Sequence, residues 1–77
     1  MKQIELEFET AYEGYNIRVT YFTIGAKFTQ LHAITLAGYP LDVVELCTDQ
    51  QFQPLLNHIQ YAMKNNCESY WSEKLAA

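Results

Sequence analysis

The chain reads as an α+β domain: an antiparallel sheet of three strands, or four, packed against one long C-terminal helix. Two observations predict it. Residues 3–9 alternate strictly, with Ile4, Leu6 and Phe8 on one side and Glu5, Glu7 and Glu9 on the other. Residues 52–71 instead repeat every three or four positions, through Phe52, Leu55, Leu56, Ile59, Ala62, Met63, Tyr70 and Trp71. A period of two belongs to a half-buried strand, and a period near 3.6 to an amphipathic helix. The order of the two signals puts a small sheet first and a single helix across it.

The first strand is expected over about residues 2–10. Ala11-Tyr12-Glu13-Gly14-Tyr15 holds the first glycine and reads as a hairpin loop. The second strand covers about 16–24, a stretch rich in β-branched and aromatic residues. Its faces are Ile17, Val19 and Tyr21 against Arg18, Thr20, Phe22 and Ile24. Gly25-Ala26-Lys27 makes the next turn. The third strand runs over about 28–36, and Phe28, Gln30, His32, Ile34 and Leu36 form the expected core face. Its other face, Thr29, Leu31, Ala33 and Thr35, also carries apolar groups, which suggests a central strand or a second covered side.

Ala37-Gly38-Tyr39-Pro40 ends that strand. Residues 41–47 (LDVVELC) admit two readings, a short fourth strand or a helical turn. Asp42 can cap a turn, whereas Val43 and Val44 favour extension; the helical turn is preferred. The helix is expected over about 49–73, opened by a capping box of Thr48 with Gln51. Pro54 fits only in a first turn. Asn65 and Asn66 are weak helix formers that invite a kink or an early end. About twenty helical residues rise ~30 Å against ~23 Å for a strand of seven, so the helix should overhang the sheet near Tyr70 and Trp71.

Seventy-seven residues, 49% of them apolar, make one domain spanning 1–77. A core of this size rarely contributes more than a net ~3–5 kcal/mol, and such domains commonly dimerise, bind a partner or carry a staple. Two cysteines, Cys47 and Cys67, are fewer than a small secreted scaffold uses. The chain opens on Lys2 and alternating acidic and apolar residues rather than a leader, and no apolar run approaches the ~20 residues of a membrane span. The expected setting is the cytoplasm, with both thiols reduced and mostly buried.

The net charge is −4, and the five cations, Lys2, Arg18, Lys27, Lys64 and Lys74, are scattered. Nucleic-acid binding needs clustered cations to neutralise phosphates, so direct DNA or RNA contact is disfavoured, as is adhesion to an anionic membrane. An acidic surface suits a basic protein partner, often one that itself handles nucleic acid.

The sharpest candidate site is the row Glu5, Glu7, Glu9, with Glu13 just beyond. Alternate strand residues stand ~6.8 Å apart on one face, a spacing that could imitate a run of phosphates and occupy a basic groove. The plainer alternative is a solvated face that blunts edge pairing. Tyr12 and Tyr15 fall in the loop, where they are expected to be exposed. Tyr70 and Trp71 fall at the helix end, where they either finish the core or face a partner. Tyrosine and tryptophan are enriched at the energetic centres of interfaces.

Chemistry has little support. His32, His58, Cys47 and Cys67 lack the short spacings of structural zinc sites, so no metal is expected. Ser69 and Ser72 have no histidine placed beside them, and Cys47 lies in an inert setting between Leu46 and Thr48. The three glycines are isolated, which leaves no phosphate loop and no expected cofactor. The reading is a non-enzyme.

Three strands followed by one helix, small size and an acidic balance together resemble the small accessory proteins of bacteriophages and mobile elements, anti-CRISPR proteins among them. The resemblance spans the whole chain and carries no motif, so no residue roles transfer. It implies inhibition by direct protein binding in a host cytoplasm, by blocking a nucleic-acid site or locking a conformation. The expected function is thus an inhibitor or adaptor that binds a nucleic-acid-handling protein through Glu5, Glu7, Glu9, Tyr12, Glu13 and Tyr15. The alternative is a self-assembling homodimer with the helix, Tyr70 and Trp71 as its seam.

Overall fold

The computed structural model describes residues 2–76. A four-stranded antiparallel meander in the order β1-β2-β3-β4 is followed by two helices. The strands are β1 (Ile4–Tyr12), β2 (Tyr15–Ile24), β3 (Phe28–Leu36) and β4 (Tyr39–Leu41). Helix α1 (Val43–Thr48) leads through a 3-10 turn (Gln50–Phe52) into helix α2 (Gln53–Ala76).

The first connection is tighter than the expected loop. Tyr12 pairs with Tyr15, leaving Glu13 and Gly14 as a two-residue turn. Both are left-handed, with φ of 51° and 84°, the geometry whose twist matches the strands on either side. Ala37 and Gly38 repeat it between Leu36 and Tyr39, with φ of 50° and 86°. Alanine pays about 1–2 kcal/mol for that conformation, whereas asparagine adopts it more readily. Ala37→Asn is therefore expected to raise stability by about 0.5–1 kcal/mol, read as a higher urea midpoint.

Residues 41–47 take the preferred helical form from Val43 onward. Tyr39–Leu41 add the fourth strand, and the chain turns helical two residues later. Asp42 caps α1, its carboxylate accepting from Val44 N at 2.9 Å and Glu45 N at 3.4 Å. The Thr48 capping box does not form. Thr48 Oγ1 donates back to Val44 O at 2.8 Å, and Asp49 caps the 3-10 turn by accepting from Gln51 N. Pro54 lies in the first turn of α2, where its missing N–H costs nothing.

The face assigned to β3 needs correction. Thr20 pairs with Ala33 but Tyr21 pairs with Leu31, so His32 is an extra, bulged residue. The bulge changes the phase of the alternation. Ile34 and Leu36 point to the helix side as expected, but Leu31 packs there instead of Gln30. Phe28, Gln30 and His32 are exposed; β3 is the central strand considered for it, paired with β2 and β4, and its second face is open rather than covered.

The core lies between β1–β3 and the helices. Strand β2 contributes Ile17, Val19 and Tyr21, and α2 contributes Leu55, Leu56, Ile59, Met63 and Cys67, all buried. From Leu55 the stripe steps by four residues to Trp71, along one side of the helix. The helix runs unbroken through Asn65 and Asn66 because Asn66 has a tertiary partner. Its Oδ1 accepts from the Tyr21 hydroxyl at 2.5 Å, which offsets a weak propensity.

Exclusion from water, followed by the nearby Cys67, pushes the Tyr21 phenol up to about 12. The unfolded chain releases this proton near the ordinary value of about 10. Between those two values the native state binds more protons than the unfolded one, so stability falls as pH rises through the window. Urea midpoints followed from about pH 9 to about pH 12 should decline more steeply for the native sequence than for Tyr21→Phe.

Candidate protein-interaction site

Helices on one face of a sheet leave the other face to water, and β1 records the division. Its residues alternate between half-buried and exposed from end to end. Ile4, Leu6 and Phe8 lie on the helix side, and Glu5, Glu7 and Glu9 lie exposed on the open face. The carboxylate row is therefore formed as the alternation requires.

One cation stands inside it. Arg18, opposite Glu9 in the β1–β2 register, reaches both neighbours: Nε lies 3.0 Å from Glu7 Oε1, and Nη2 donates to Glu9 Oε1 at 2.9 Å. The hydrogen bond to Glu9, then the charges of Glu7 and Glu9, hold the guanidinium pKa above its already high ordinary value. Three carboxylates and one guanidinium leave two negative charges on the row. Glu5, opposite Phe22, makes no ion pair among the described residues.

The other proposed contacts do not gather around this row. Glu13 is exposed at the tip of the first hairpin beside Tyr15, which is 55% exposed. Tyr12 is not the exposed loop residue expected. It ends β1, is half-buried against the core, and its ring centroid is 5.2 Å from that of His58. His58 Nε2 in turn lies 3.1 Å from Thr10 Oγ1.

Tyr70 and Trp71 lie at the opposite end of the molecule. Trp71 finishes the core rather than overhanging it: its indole packs against the buried cluster, and Nε1 donates to Thr23 Oγ1 at 3.3 Å. Tyr70 is half-buried, edge-on to Trp71 with centroids 5.2 Å apart, and Lys74 Nζ lies 5.6 Å from its ring centroid. The helix-seam contact thus loses one of the two residues that motivated it.

The open face also carries an apolar end that the sequence reading did not single out. Phe22 stacks at a tilt on His32, centroids 4.7 Å apart, and Phe28 pairs with Ile24 while remaining 57% exposed. Phe22 and Ile24 stood on this face from their alternation alone. Phe28 and His32 were hidden by the bulge.

The residues considered for chemistry are spread apart. His32 lies on the open face and His58 under the N-terminal half of α2, while Ser69 and Ser72 are exposed on α2. Cys67 is buried, but Cys47 is exposed on α1 and not buried as expected; both are free thiols. Among the described residues no group of three or more His, Cys, Asp or Glu side chains could hold a metal ion. Among the described residues no helix is long and apolar enough to cross a membrane. A scan of family models finds no match to the chain, and comparisons with curated proteins and with solved structures find none either.

Proposed function

We propose that this chain is a non-enzymatic protein-binding module, an inhibitor or adaptor whose open sheet face engages a basic surface on a nucleic-acid-handling protein. One observation carries the reading: Glu5, Glu7 and Glu9 all project from the face that no helix covers. Complementary charge speeds encounter and selects partners more than it adds affinity. The guanidinium of Arg18 within the row makes it a poor imitation of consecutive phosphates. The reading carried forward is therefore recognition of a basic protein surface rather than strict phosphate mimicry.

Immobilised chain exposed to a bacterial lysate tests this. A specific protein should be retained at about 0.05 M salt and released near 0.5 M, where charges a few ångströms apart are screened. Retention should also be lost in E5Q/E7Q/E9Q. A chain that retains nothing at low salt, or whose partner binds that variant equally well, overturns the reading.

A further inference from the structure

The two edges of the sheet are built differently. Strand β4 is three residues long and contains Pro40, which has no N–H to offer. Strand β1, at the other edge, is nine residues long, contains no proline and pairs with β2 without a register shift. Natural sheets blunt such an edge with proline, bulges or brevity. Here β1 has none of these, and only its exposed charges guard the edge.

Which backbone groups face outward follows from the hairpin. Tyr12 and Tyr15 flank a two-residue turn and form a hydrogen-bonded pair. Antiparallel pairing alternates, so Thr10, Phe8, Leu6 and Ile4 also bond to β2, and Glu5, Glu7 and Glu9 aim their N–H and C=O groups away from it. The other side of β2 agrees in phase. Asn16, opposite Ala11, spends its carbonyl on Ala37 N at 2.9 Å, towards β3. The same three residues thus offer a hydrogen-bonding edge and a row of carboxylates.

The core side of β1 is unfinished in the same direction. Leu6 and Phe8 pack against the cluster yet stay half-buried, whereas Ile17, Val19 and Tyr21 one strand inward are fully covered. One more strand would cover them.

A second copy of this chain is a poor occupant. In antiparallel pairing that keeps both helices on one face, glutamates of one β1 fall opposite glutamates of the other, and like charges directly opposite are destabilising.

The geometry points to strand addition at β1 by an extended segment of another protein, with Lys or Arg at alternate positions and apolar residues between them. Each cation would lie ~5.5 Å, Cα to Cα, from the glutamate it pairs with. The apolar residues would fall beside Leu6 and Phe8. This deepens the proposed function, on which it rests, by naming the edge and the recognised pattern.

The test titrates the intact, unmodified chain with a short acetylated peptide alternating lysine and valine, read by amide exchange. Two controls share its charge: the same peptide N-methylated at the lysine backbone nitrogens, and a scrambled sequence. Protection of the Glu5, Glu7 and Glu9 amides should rise about tenfold or more, with Leu6 and Phe8, already bonded to β2, unchanged. Both controls should bind at least about tenfold more weakly. Equal, salt-sensitive binding of all three without amide protection overturns strand addition and leaves charge-guided recognition standing. No salt-sensitive binding by any of them overturns both. Protection of these amides by self-association before peptide is added overturns the assigned occupant.

Discussion

Ile59→Ala is expected to leave the chain largely unfolded at room temperature. Ile59 is 0% exposed and lies in the α2 stripe between Leu55 and Met63, one turn from each. Truncating a buried isoleucine to alanine costs ~2–5 kcal/mol, since the neighbours do not close the cavity. A domain of this size rarely has more than a net ~3–5 kcal/mol to lose. Ile59→Val removes one methyl group at ~0.5–1.5 kcal/mol and should stay folded, with the melting temperature lowered by ~4–8 °C per kcal/mol. Tyr61, 70% exposed on the same helix, serves as the control; its alanine variant should melt close to the parent. Circular dichroism on the three variants checks this. A cooperative melt for Ile59→Ala near that of Tyr61→Ala would mean that α2 does not hold the sheet.

Much of this architecture could be read from the residues, and the parts that could not share a cause. The alternation over 3–9 and the stripe over 52–71 are long periodic signals set by burial, and both elements formed where those signals lie. The register of β3 was not readable, because a one-residue bulge at His32 depends on how the strand meets Tyr21 and leaves no local mark. The turn at Ala37-Gly38 was likewise hidden: an alanine with positive φ is held there by pairing on both sides, not by its own preference. The helical turn preferred for residues 41–47 formed behind the Asp42 cap, whereas the three-residue strand before it, Tyr39–Leu41, is too short to leave a periodic signal.

For the candidate site, the side taken by Glu5, Glu7 and Glu9 followed from alternation, but the Arg18 pairing did not. It needs the cross-strand register, which the two-residue turn fixes. The place of Tyr12 depends on the same turn. A wide loop would have freed it, whereas a tight turn keeps it in the strand on the helix side. Trp71 follows Cys67 by the same four-residue step that links Leu55, Ile59 and Met63, so the buried thiol carries the stripe on to the indole.

E5Q/E7Q/E9Q is expected to slow association with the retained partner by about 10- to 100-fold at low salt, because the field of the open face steers encounter. The rates of parent and variant should draw together as salt rises towards the point of release, because screening shortens the reach of the row. Arg18→Gln should act oppositely. It removes the cation held between Glu7 and Glu9, so the row presents its full charge and association quickens. Neither change should move the melting temperature much, because every side chain involved is exposed and exposed ion pairs contribute little. Stopped-flow or surface-binding rates across a salt series check both variants, with melts alongside to confirm folding. The opposite signs matter more than either magnitude. A general loss of stability would slow both variants, and a contact at Tyr70 or elsewhere on α2 would leave both unchanged. Only a partner guided by this face slows when carboxylates go and speeds when the guanidinium goes.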